Sequence, residues 1–231
     1  MSLFRGALEP MSTSNQTFGF LGLLISLLLL LVLPGLFSSY SGGVIPILFA
    51  LVMVASLYLV AAERKNFIIG LVLALPVLLT HWQFGFLSES ARLTMNSAFQ
   101  IVFLAYVCAQ IFSYLFRAQK IEVDVIYAAL CLYLLLGVIW AFGYFLVEYS
   151  SPGAISMGGG IDMASIGARD LMAQTIYFSF VTITTLGYGD MTPVSRLAQS
   201  LTIIEALVGQ IYIAIVIARL VAMQIAEKLR A

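Results

Sequence analysis

The sequence has 231 residues, 62% of them hydrophobic and 10% charged, with a mean hydropathy of +1.06. Roughly a quarter of an ordinary soluble domain is charged, so this composition excludes a soluble globule and marks a polytopic membrane protein. Basic and acidic residues number 11 each, for a formal net charge of zero, which gives no footing for a nucleic-acid partner.

Residues 1 to 17, with Arg5 and Glu9, read as a loose arm or brief surface helix. The apolar run Phe18 to Phe37 is twenty residues long. It is too long for the apolar core of a cleavable signal and can cross ~30 Å of hydrocarbon, so it reads as a retained first span. Pro34-Gly35 should break or finish it. The turn Ser38 to Gly43 leads to a second span, Val44 to Ala62. Glu63, Arg64, Lys65 and Asn66 form a tight charged turn before a third span, Phe67 to Trp82. Pro76 should kink that span, and His81 and Trp82 suit the membrane interface at its end. A polar loop, Phe84 to Asn96, contains Glu89 and Arg92. The fourth span runs from Ser97 to Phe116.

Arg117 to Asp124 (RAQKIEVD) is a charged connector and the expected boundary between a domain at 1–117 and one at 118–231. An outer helix is expected over 121–149, then a loop with a glycine run at Gly160 (Ser150 to Arg169), a short helix over 173–184, and a polar strand over 185–190. The turn Asp190 to Arg196 and an inner helix over 198–226 complete the chain. Cys108 and Cys131 both lie within apolar spans and read as buried free thiols, with no metal-ligand spacing.

The stretch that needs explaining is Thr184, Thr185, Leu186, Gly187, Tyr188, Gly189 and Asp190, TTLGYGD. Lipid tolerates irregular backbone only where protein buries it or where it lines a watery path. Gly187 and Gly189, two apart, permit the dihedrals that would aim successive carbonyls the same way. The motif and its order, helix, short helix, filter, helix, resemble the selectivity filter and pore of potassium channels, usually TVGYG followed by Asp. Leu186 departs from that pattern. The resemblance covers roughly residues 121 to 226. It implies an all-α membrane protein of six transmembrane helices plus a re-entrant pore helix and filter loop, assembling as a homotetramer, since TTLGYGD occurs once and the family uses four copies.

The resemblance further implies that carbonyls of Thr185, Leu186, Gly187 and Tyr188, with Gly189 at the outer end and the Thr185 hydroxyl at the inner end, line the ion path and hold potassium. Tyr188 would point away as a spacer. Thr184 would close the pore helix, whose negative C-terminal end favours a cation. Tyr177 stands where the family often has Trp and could donate to Asp190 as a clamp on the filter. Gly209, nineteen residues after Asp190, matches a hinge glycine, although a helix-packing glycine is the alternative. Ile213, Ile217 and Val221 would line the cavity and its constriction. Glu205, one turn before Gly209, either couples protonation to the inner helix or braces the pore helix through Ser179 or Thr182. Arg219 should snorkel toward headgroups.

Eight Lys and Arg residues (Arg5, Arg64, Lys65, Arg117, Lys120, Arg219, Lys228, Arg230) fall on the side of the termini and three (Arg92, Arg169, Arg196) on the other. The termini are therefore expected to be cytoplasmic, in a cell (inner) membrane. Glu89, Glu148, Asp162, Asp170 and Asp190 would then sit near an outer, cation-attracting mouth or be ordinary loop charges. The fourth span has no basic residue between Arg92 and Arg117. Without charges moving through the field at ~2.3 kcal/mol per 100 mV each, weak voltage dependence is expected. The reading is a passive potassium channel, not an enzyme, with potassium ions and lipid as partners and no cofactor or soluble ligand domain. The alternatives are a non-selective cation channel or the membrane subunit of a potassium transporter.

Overall fold

The computed structural model describes residues 13–36, 41–61, 63–81, 88–118, 120, 122–158 and 166–228. Its elements run α1 (Thr13–Leu36), α2 (Ser41–Val60), α3 (Arg64–His81), α4 (Glu89–Arg117), α5 (Val123–Ser150), β1 (Ile155–Met157), α6 (Ala168–Ile183), β2 (Met191–Pro193) and α7 (Arg196–Lys228). The expectations for Arg5, Glu9, Trp82, Gly160, Asp162 and Arg230 lie outside the described residues. Among the described residues, four helices are long and apolar enough to cross a membrane: α1, α4, α5 and α7. The chain is an integral membrane protein. Six spans were expected. Helix α2 is a shorter apolar helix, and α3, at 18 residues, reaches only ~27 Å at 1.5 Å per residue.

Every helix but α5 starts earlier than expected, and in α3, α4 and α6 the added residues include charged ones. The polar loop over 84–96 is largely helix, because α4 begins at Glu89. Ser88 caps it, its hydroxyl accepting from Ala91 N at 3.3 Å, and Glu89 sits in the first turn, where a negative charge meets the positive helix end. The charged turn at 63–66 is the start of α3, with Phe67 N bonded to Glu63 O at 2.9 Å. The short helix α6 begins at Ala168 rather than Ala173, with Gly167 at its N-cap and Asp170 in its first turn. Pro34 lies in the last turn of α1, which ends at Leu36, one residue after Gly35.

Helix α5 is the centre of the molecule. Its apolar sequence is buried on most faces, as a helix hydrophobic all round must be. It packs against α1 and α4 on one side and α6 and α7 on the other, so the two expected domains share one continuous core. Cys131 donates to Phe20 O of α1 at 3.3 Å, and both cysteines are free and buried. The connector is tied in as well. Asp124 is buried in the first turn of α5 and accepts from the Tyr114 hydroxyl of α4.

The all-helical expectation gains one exception. β1 and β2 pair antiparallel, with Ile155 opposite Pro193 and Met157 opposite Met191. Neither strand could be read from its three residues alone. The ribbon forms because the segments before α6 and after residue 190 are brought side by side.

Candidate functional site

The site is the strand from Thr185 to Asp190, held between the end of α6 and β2. Thr185 has φ +59°, Gly187 +58° and Gly189 +80°, while Leu186 and Tyr188 between them stay outside the left-handed region. Such alternation turns successive carbonyls to one side. It costs little at glycine but is strained at a β-branched threonine. The strain at Thr185 is offset locally: its N–H donates to Thr182 O at 2.8 Å. Leu186 N and Gly187 N both turn back to Val181 O, at 3.0 and 3.2 Å. With the donors directed at the pore helix, the carbonyls are left over. Among the described residues no donor is bound to the carbonyl oxygens of Thr185, Leu186, Gly187 or Tyr188. Leu186 is 54% and Tyr188 68% exposed, so their side chains find no packing within their own chain.

Behind the strand, the Tyr177 hydroxyl donates to Asp190 Oδ2 at 2.6 Å, and Asp190 Oδ1 accepts from Met191 N at 3.0 Å. The bond to Asp190 pushes the Tyr177 pKa up to about 12, because losing the proton would set two negative charges against each other. The strand's Asp190 end is held by the ribbon, with Gly158 N donating to Asp190 O at 2.5 Å. The ribbon is anchored in turn by Glu148. That residue was expected among the exposed loop charges but is 2% exposed. It accepts from Gly153 N at 2.7 Å and Ile155 N at 2.8 Å. A carboxylate at the end of α5 folds the loop onto itself, so it is no mouth charge. Its role was missed because sequence does not show which backbone donors a loop will present.

Glu205 is fully buried, where α5, α6 and α7 meet. It accepts from the Tyr144 hydroxyl at 2.6 Å, and its other oxygen lies 2.5 Å from Ser179 Oγ. Ser179 Oγ also donates to Gly137 O at 2.7 Å. One hydroxyl carries one proton, so Ser179 cannot donate to both. Every group is satisfied when the carboxyl carries a proton and gives it to Ser179. Of the two partners considered from sequence, Ser179 is the one in contact. Tyr144 was missed, although a tyrosine midway along an apolar helix is a signal that a polar partner lies near.

Gly209 packs where α7 meets the end of the pore helix. A Cβ there would lie 2.4 Å from Ile183 O and 2.8 Å from Ile183 Cγ1. That close approach requires glycine whether or not the helix bends. Ile183 O also accepts from the Tyr133 hydroxyl at 3.0 Å. Thr184 closes α6, its hydroxyl donating to Phe180 O at 2.6 Å. Gln210, not singled out from sequence, reaches Thr185 Oγ1 at 3.4 Å. Ile213, Ile217 and Val221 are exposed along one face of α7. The opposite face is bound, with Tyr212 donating to Ala129 O at 2.6 Å and stacking on Tyr133. Arg219 does more than snorkel. It donates to Ala118 O at 2.8 Å and lies 4.7 Å from the Phe116 ring centroid, joining α7 to the end of α4.

Residues 128–225, which contain all of this machinery except Phe116 and Ala118, match a family described as "Ion channel". The match supports an ion channel. It begins within α5 and covers less than half of the chain, leaving α1 to α4 outside it. No curated protein and no solved structure matches the chain.

Proposed function

We propose that the chain is one subunit of a passive, potassium-selective channel in which four copies surround a common axis. The observation that carries this reading is the row of four carbonyls, Thr185 to Tyr188, without donors on a backbone of alternating hand. A cation entering a membrane must exchange its water for other oxygens, and rings of backbone carbonyls can supply them. One chain offers one row, and a ring needs several. The exposed Leu186 and Tyr188 side chains are then the faces that neighbouring copies cover.

The proposed subunit crosses the membrane six times, α2 and α3 included, with both termini cytoplasmic and the filter opening outward, in the cell (inner) membrane. Tyr177, Thr184, Asp190 and Glu205 support the filter. Gly209, Ile213, Ile217 and Val221 shape the inner path, which apolar rings can close by excluding water. Potassium ions in the filter are the cargo, and no cofactor takes part. With Leu186 in place of valine the carbonyl is unchanged in kind, so selectivity should persist. The basic residues of α4 lie only toward its ends, which supports weak voltage dependence.

The deciding experiment is the reversal potential of the purified full chain in planar bilayers under opposed potassium and sodium gradients. A reversal potential that follows potassium supports the proposal. One indifferent to which ion is present would make it a non-selective cation channel, and flux without channel currents would point to a transporter subunit.

A further inference from the structure

A cavity of about 430 Å³ lies between the first four helices and the pore helix. Its size is that of a small-molecule site. One wall is apolar, with Phe49 and Met53 from α2 and Phe142 from α5. The facing stripe of α4 is polar, with Arg92, Asn96 and Gln100 at four-residue intervals on one helical face. Asn96 is occupied, donating to Thr80 Oγ1 at 2.9 Å and Val77 O at 3.2 Å. Gln100 is not. It is 5% exposed, and its carboxamide Oε1 is buried without a hydrogen-bond partner. A buried acceptor without a donor is costly and calls for an explanation. Arg169, in the first turn of α6, adds a second guanidinium to the lining. Among the described residues neither arginine is held in an ion pair.

We infer that this cavity binds a single-chain amphiphile with a phosphate head, a hydroxyl group below the head, and an apolar tail. Two guanidiniums from different helices suit a phosphate, which each can bind through paired N–H groups. Gln100 lies eight residues after Arg92 on the same face of α4, ~12 Å along the helix, a gap that the flexible Arg92 side chain shortens only by folding toward Gln100. A hydroxyl on the ligand's body supplies the donor that Gln100 Oε1 lacks. The tail then lies against Phe49, Met53 and Phe142. The site is independent of which ion the pore conducts. Its occupant touches both α4 and the first turn of α6, so it bridges the first four helices to the helix that leads into the filter.

The test adds 1-acylglycerol 3-phosphate to the detergent-purified full chain and counts bound molecules by native mass spectrometry. Binding should weaken about tenfold or more in the double variant Arg92→Gln, Arg169→Gln, since charge-assisted contacts are lost. It should weaken several-fold in Gln100→Leu. The arginine changes lie outside the packed core, and thermal unfolding confirms that the variant folds. A second arm uses dodecyl phosphate, which has no body hydroxyl and should bind wild type more weakly but be indifferent to Gln100→Leu. A third arm adds phosphatidylglycerol as competitor, and displacement by it would identify the bilayer as the source of the same head chemistry. Equal binding to wild type and the double arginine variant would overturn the inference. So would equal retention of uncharged 1-acylglycerol.

Discussion

The two halves of the molecule treat buried polar groups differently. Around α6 most are bonded across helices, Tyr144 to Glu205, Ser179 to Gly137 and Glu205, Tyr133 to Ile183, and Tyr212 to Ala129, while Thr175 turns back to Met172 O of its own helix. In α1 to α4, Ser26 and Thr80 turn back to their own helices, at 2.7 Å to Leu23 O and 2.8 Å to Pro76 O. Bonds across these helices join α3 to α4 through Asn66, Tyr106 and Asn96. Both buried side-chain atoms found without a partner, Ser56 Oγ and Gln100 Oε1, belong to this half. The difference teaches that the half from α5 to α7 is fixed by directional bonds, which tolerate little displacement. The first four helices adhere by apolar packing, which leaves room for a ligand to supply what is missing.

The comparison can be broken most forcefully at Glu205. Glu205→Ala leaves the Tyr144 hydroxyl only its long 3.4 Å contact with Thr202 Oγ1 and should cost about 2–4 kcal/mol by thermal unfolding of the purified protein. Glu205→Gln keeps an acceptor for Tyr144 and a donor for Ser179, and should cost less than about 1 kcal/mol. Equal losses for the two would mean that the carboxyl is needed charged. Next in size, Gly209→Ala forces a methyl group against Ile183 O and should cost about 1–3 kcal/mol, with ion flux reduced alongside. Unchanged stability with altered gating would favour a hinge over packing.

Tyr177→Phe removes the hydrogen bond to Asp190 and should shorten open times in single-channel records. Because Asp190 raises the Tyr177 pKa to about 12, the tyrosine keeps its proton below that value. The clamp's contribution is then lost only as pH rises through it, and wild-type open times should show no step from this pair across neutral and mildly alkaline pH. Arg219→Gln cuts one of the ties between the halves and should cost under about 1 kcal/mol, with its effect read as a shift in open probability. Smallest of all, Ser56→Ala deletes a hydroxyl that has no partner and should be neutral or slightly stabilising by the same unfolding assay.

Much of the layout was legible because hydrophobic length is a strong signal. Each expected apolar run is occupied by a helix that mostly extends beyond it, and TTLGYGD marked the strand of alternating hand. The starts of α3, α4 and α6 were placed too late because charged residues were read as loop. Glu89 and Asp170 instead belong to first helical turns, where acidic groups are favoured. Glu148 was misplaced for a related reason. Its position beyond an apolar run suggested solvent, but the loop after α5 folds its backbone N–H groups onto the carboxylate.

The sequence by itself determined a helical membrane protein with one filter-like strand, because apolar run length and glycine spacing are local properties of the chain. Only the tertiary structure decided what each polar group does. It set Glu205 between Tyr144 and Ser179, gave Gly209 a carbonyl to pack against, turned Glu148 inward, and left Gln100 facing a cavity without a donor. Those outcomes depend on partners far apart in sequence, and a hydrogen bond needs its partner within about 3 Å, a condition that only the packed helices impose.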